Sequence, residues 1–105
     1  MTAFDALYRR CVNLQEKVFV GGTALSAAHH LRDEADKLIS ALEQDNLSDV
    51  AAEIADVFIL LAVVASRSRI DILHVAAEKM DINEQREWGM PDERGVVHHV
   101  IAQGD

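Results

Sequence analysis

Nine consecutive apolar residues, Val57 to Ala65, form the longest unbroken apolar run in the chain. The run is far short of the ~20 residues that a membrane-spanning helix needs, so protein must bury it. Together with Ile54 and Ala55, the residues Val57, Phe58, Ile59, Leu60, Leu61, Val63 and Val64 cover nearly the whole circumference of a helix. A helix that is apolar all round is buried on all sides. A four-helix monomer of 105 residues struggles to enclose one of its own helices, so the run predicts a homo-oligomer, a homodimer or a homotetramer.

The rest of the chain supplies the other helices. Phe4, Leu7, Tyr8, Cys11, Leu14 and Val18 recur at spacings of three and four and predict a helix from about Ala3 to Val18, ended by Gly21, Gly22 and Thr23. A second helix should run from about Leu25 to Gln44, with Ala28, Leu31, Ala35, Leu38, Ile39 and Leu42 on its apolar face. Asp45-Asn46 reads as a tight turn, and Asn46 or Ser48 can cap the third helix, which should reach about Ser66. A fourth should begin at Asp71 and run to about Trp88, stopped by Gly89 and Pro91. The fold class is therefore an all-α four-helix bundle in one domain, residues 1–105. Residues 91–105 form a tail whose Val96, Val97, Val100 and Ile101 pack on something, such as a partner subunit.

Composition narrows the function classes. The formal net charge is −8, with 18 acidic against 10 basic side chains. Nucleic-acid binding needs Lys and Arg gathered on one face, and here they are scattered, so no nucleic-acid partner is expected. An acidic protein can still take a polyanionic small molecule when metal ions bridge the two. One Cys excludes a disulfide framework within the chain, and the N-terminus shows no targeting pattern, so a soluble, cytoplasmic protein with no membrane partner is expected.

The acids carry the chemistry. Glu53 and Asp56 stand three residues apart at the start of the apolar helix, and so share one face. Asp49 falls on that face too. Carboxylates gathered beside a buried segment repel one another and resist desolvation, so solvent, basic partners or a cation must compensate. Mg²⁺ and Mn²⁺ prefer oxygen ligands and suit such a cluster. Glu34 lies about eleven residues before the Asp45 turn and Asp56 about eleven after it. In an antiparallel hairpin the two acids come to one height, a recurring way to build a metal site in a bundle. Acids on helices are usually solvated, which is the reading for Asp33, Asp36, Glu43 and Asp45. The apolar surroundings of Glu53 and Asp56 argue for a function instead.

Three segments in order carry a family resemblance: "HLRDEADKLISAL" at 30–42, "AAEIADVFILL" at 51–61 and "AAEKMDINEQREW" at 76–88. They resemble the MazG-like all-α nucleoside triphosphate pyrophosphohydrolases over roughly residues 23–100. The ending "REWGMPDERGVVHHV" is most similar to the MazZ-type branch of phage enzymes acting on dATP and dGTP. The resemblance implies a metal-dependent hydrolase that converts nucleoside triphosphates to the monophosphate and pyrophosphate. It implies Mg²⁺, with Mn²⁺ as an alternative, held by Glu34, Glu53 and Asp56. It also implies phosphate contacts from Lys79, Asn83 and Arg86, which share one helix face by spacing alone. Glu34 or Asp33 would take a proton from the attacking water.

Lys37 departs from the pattern, since the family has a second acid there and an ammonium cannot donate an oxygen to a metal. Asp33 or Asp36 can supply the missing oxygen. Lys37 can neutralise part of the cluster and face the substrate's phosphates, so that fewer metals bind. Or the chain is a non-catalytic oligomerisation or nucleotide-sensing module that keeps the fold. For the base, Trp88, Phe19, Tyr8 and His30 are the candidate contacts, although aromatics on an apolar stripe are usually core. Adjacent histidines on a helix point about 100° apart, so the His29-His30 and His98-His99 pairs make poor zinc chelates.

Overall fold

Thr2 opens the first helix with a reciprocal cap. Its hydroxyl accepts from the Asp5 backbone N–H at 3.1 Å, and the Asp5 carboxylate accepts from the Thr2 N–H at 3.0 Å. Such a box satisfies amides that have no partner inside the helix. Helix α1 then spans Ala3–Val18, the range its apolar spacing predicts. The structure, a computed structural model, describes residues 1–101. The last four residues of the expected tail, 102–105, lie outside the described residues.

Thr23 and Ser26 cap α2, Ala24–Glu43, in the same reciprocal way. Asn46 caps α3, Leu47–Arg67, by accepting from the Asp49 N–H at 3.2 Å. Both helices end alike. Asp45 and Arg69 take left-handed backbone angles, with φ of 53° and 57°. Behind each, two amides turn back: Asn46 to Ala41 and Asp45 to Leu42, then Ile70 to Ala65 and Arg69 to Ser66. This paired closure satisfies the last carbonyls of a helix.

The chain divides into two compact units, Met1–Ile72 and Leu73–Asp105. In the first, α3 packs against α2 and more lightly against α1. Its core gathers Cys11 of α1, Ala27 and Ala41 of α2, and Leu60, Ala62, Val63 and Ala65 of α3. The buried line of α2 is displaced from the expected one. It follows Ala27, Glu34 and Ala41, with Leu31 and Leu38 half-buried between them, while Ala28, Ile39 and Leu42 are exposed. The expectation that α3 is buried all round does not hold within one chain, where Ile54, Phe58 and Leu61 remain exposed. One chain covers only the α3 faces that meet α2 and α1.

In the second unit α4 is Ile72–Gln85, ending three residues before the end the sequence suggests. Competing backbone pairs end it. The Val100 N–H donates to the Glu87 carbonyl at 2.7 Å and the Gly89 N–H to the His98 carbonyl at 2.9 Å. Trp88 and His99 form an isolated antiparallel bridge, and no β-strand occurs among the described residues. The turn between them is an Asp92 cap, whose Oδ1 accepts from the N–H groups of Arg94 and Val96, both at 2.9 Å. The described part of the tail thus folds back on residues 87–89. No helix of the described chain is long and apolar enough to cross a membrane.

Candidate metal centre

Glu34 is the buried carboxylate of the first unit, 7 % exposed on a face whose other members are apolar. Its place on α2 aims the carboxyl at α3, where Glu53 and Asp56 stand one turn apart. One oxygen from each of the three acids lies within 4.8 Å of the other two. Asp56 is exposed and Glu53 half-buried, so the trio runs from the helix interface to the surface. The height match about the Asp45 turn explains the meeting.

Three carboxyls this close cannot all carry charge unaided. The hydrogen bond from Glu53 holds Glu34 below the ordinary carboxylate range, helped by the Lys37 and His30 charges against a smaller effect of burial. That same bond, together with burial and repulsion from Glu34, pushes Glu53 up. The two acids are therefore driven apart, Glu34 toward its charged form and Glu53 toward its neutral form. Lys37 Nζ lies 3.2 Å from Glu34 Oε1 and His30 Nε2 lies 3.6 Å from the same oxygen. Glu53 Oε2 is buried with no hydrogen-bond partner. A buried oxygen without a partner is costly. A hard divalent cation among these oxygens would satisfy it and offset the repulsion between the carboxyls, so the donor set fits Mg²⁺ or Mn²⁺.

Other expected site residues lie elsewhere. Asp33 is exposed and outside the trio. Asp49 is engaged at the α3 cap, where Asn46 Nδ2 donates to its carboxylate at 2.8 Å. In the second unit Arg86 Nη1 donates to Asn83 Oδ1 at 3.2 Å, and Lys79 is exposed. Tyr8 stacks on Phe4 with ring centres 5.9 Å apart, and Phe4 meets Phe58 edge-on, an aromatic cluster between helices. Trp88 meets His99 at the bridge.

Two cavities flank the trio. One, about 450 Å³, is polar and includes Lys37, Ser40, Gln44 and Glu53. The other, about 250 Å³, is bounded by Glu34 and Asp56 on one side and by Gln15, Phe19, His30 and Ile59 on the others. Phe19 and His30 meet edge to face across its rim, with ring centres 6.2 Å apart. Sequence reasoning named Phe19 and His30 but missed Gln15. A glutamine off the apolar stripe of α1 gives no signal until the fold sets it beside the acids.

No protein-family profile matches the chain. Over 89 residues, 85% of its length, it is 37% identical to a dATP/dGTP diphosphohydrolase of Salmonella phage PMBT28. The chain spans only 29% of the length of that relative. Its fold is similar to that of a cyanophage S-2L MazG-like pyrophosphohydrolase bound to dGDP and three catalytic Mn²⁺ ions per active site, with a TM-score of 0.77 and 20% identity. That match covers 97% of each chain, and the fold is accordingly the MazG-like all-α fold.

Proposed function

We propose that this MazG-like chain hydrolyses nucleoside triphosphates, purine deoxynucleotides in particular, to the monophosphate and pyrophosphate. The observation that carries the reading is the convergence of Glu34, Glu53 and Asp56 around a buried oxygen without a partner. The relatives support it, since one is named for dATP and dGTP and the other binds dGDP with Mn²⁺.

Glu34, Glu53 and Asp56 would hold Mg²⁺ or Mn²⁺. When bound, the ion supplies positive charge to offset carboxylates and phosphates, and it acidifies a coordinated water. The attacking water gives its proton to Glu34 or to its neighbour Asp33. Glu34→Gln and Asp33→Asn variants separate these roles. Water oxygen bonds to the α-phosphorus as the bond to pyrophosphate breaks, and the pyrophosphate leaves with its charge. Lys37, beside Glu34, offers an ammonium to that charge, and Lys79, Asn83 and Arg86 form the second phosphate-binding group. The 250 Å³ cavity is smaller than the ~300–1,000 Å³ of sites enclosing a whole drug-sized ligand, which suits one flat base.

The exposed Ile54, Phe58 and Leu61 of α3 support assembly as a homodimer or homotetramer, in which a second copy covers them. Work in the cytoplasm, where nucleotides are pooled, completes the reading.

The test is incubation of the purified protein with each dNTP and Mg²⁺ or Mn²⁺, with products separated by ion exchange. Monophosphate and pyrophosphate, lost in Asp56→Ala, is the expected result. No turnover of any dNTP or NTP would overturn the reading and leave the Lys37–Glu34 pair as the mark of a binding module.

A further inference from the structure

Arg67, the last residue of α3, is a buried cation outside the acid trio. Its side chain is only 10% exposed. Nη1 donates to the Thr23 carbonyl at 3.1 Å, across 44 residues of sequence. Nε lies 3.5 Å from Glu16 Oε1 on α1, but in poor hydrogen-bond geometry, and Nε and Nη2 are both buried without a hydrogen-bond partner. Burying a guanidinium with two unpaired nitrogens is unfavourable. Ordinary packing could be met by an apolar side chain, so the arrangement asks for another reason.

The reason lies in what Arg67 touches. The guanidinium lies against Gly22, so closely that a Cβ there would come within 2.8 Å of Nη1 and Nη2. The Gly22 N–H donates to the Phe19 carbonyl at 3.0 Å, and the Phe19 N–H donates to the Gln15 carbonyl at 2.8 Å. Phe19 is thus fixed between two backbone bonds, one to Gln15 and one to a turn that rests on Arg67. Phe19 and Gln15 are both walls of the cavity beside Glu34 and Asp56.

We propose that Arg67 is a positioning residue for nucleotide recognition: it clamps the α1–α2 turn so that Phe19 forms the wall of the base cavity. The role rests on the nucleotide-hydrolase reading above. Arg67 belongs neither to the acid trio nor to the residues that line the cavity. Its loss therefore acts on substrate affinity and not on the chemical step. A tenfold loss of affinity corresponds to only about 1.4 kcal/mol of lost contact with the base.

The test compares wild type with Arg67→Met, Arg67→Lys and Gly22→Ala. Gly22 has no left-handed backbone angle, so Gly22→Ala adds no backbone strain of that kind and perturbs the guanidinium through its new Cβ. KM and kcat are measured for dGTP and dATP, Mn²⁺ affinity by electron paramagnetic resonance, and the His30 ring protons by NMR. The expected result is KM raised about tenfold in Arg67→Met and Gly22→Ala, with kcat and Mn²⁺ affinity held and Arg67→Lys partly rescued. The His30 protons should shift as the Phe19 ring moves. Unchanged KM and His30 shifts in folded Gly22→Ala would overturn the inference, as would a fall in kcat at constant KM. Wild type that neither binds nor cleaves dGTP or dATP would instead remove the nucleotide reading, and this role with it.

Discussion

Replacing Glu34 by Leu should make the metal-free protein more stable and the metal-loaded protein less so. Glu34 occupies the centre of a buried line that is otherwise apolar, Ala27, Leu31, Leu38 and Ala41. A Leu buried there gains about 1.5–3 kcal/mol of transfer free energy. Against this stand the lost bond to Glu53 and the lost pair with Lys37, whose ammonium sits in water and contributes little. The net is about 1 kcal/mol in favour of Leu, or roughly 4 °C in Tm for a chain of this size. Mn²⁺ at a hundred times its Kd stabilises wild type by about 2.7 kcal/mol. The variant lacks a ligand and gains little. Thermal melts in EDTA and in Mn²⁺ should therefore reverse the order of the two proteins. A variant less stable than wild type in EDTA, or one stabilised by Mn²⁺ as much as wild type, would refute the reasoning.

Three other outcomes are expected. Val63 is 1% exposed, so Val63→Ala should cost about 2–3 kcal/mol of unfolding free energy, read by urea titration. The backbone bonds from Val96 and Arg94 hold Asp92 below its ordinary value of 3.8. A depressed folded-state pKa means that its contribution to the 87–100 turn is full above that value and is lost as pH falls through the range below it. The Val96 and Arg94 amide shifts should report that titration, and Asp92→Asn should abolish it. Light scattering should give a mass of two or four chains, reduced by Phe58→Glu. A monomer at micromolar concentration would contradict the assembly.

Much of this architecture is legible in the sequence for physical reasons. The α1 limits follow from a regular apolar stripe and a Gly-Gly stop. Glu34, Glu53 and Asp56 can be brought together on paper because a tight turn fixes the register of an antiparallel helix pair. The α2 face was misread because apolar periodicity cannot count a buried carboxylate. With Glu34 omitted, the pattern slides onto Ala28, Ile39 and Leu42, all of which are exposed. The α4 end was missed because the competing backbone partners of Glu87 and Gly89 come from His98 and Val100, beyond a turn set by Asp92. Nothing local marks Arg67, since its partners Thr23 and Glu16 lie far away in sequence.

The central claim is that the three carboxyls hold a catalytic divalent ion, and Mn²⁺-soaked crystals test it most directly. The account predicts an anomalous-scattering peak bounded by oxygens of Glu34, Glu53 and Asp56, absent from crystals of Asp56→Ala. Full soaking with no peak there, or with Mn²⁺ bound only at other surface acids, would contradict it.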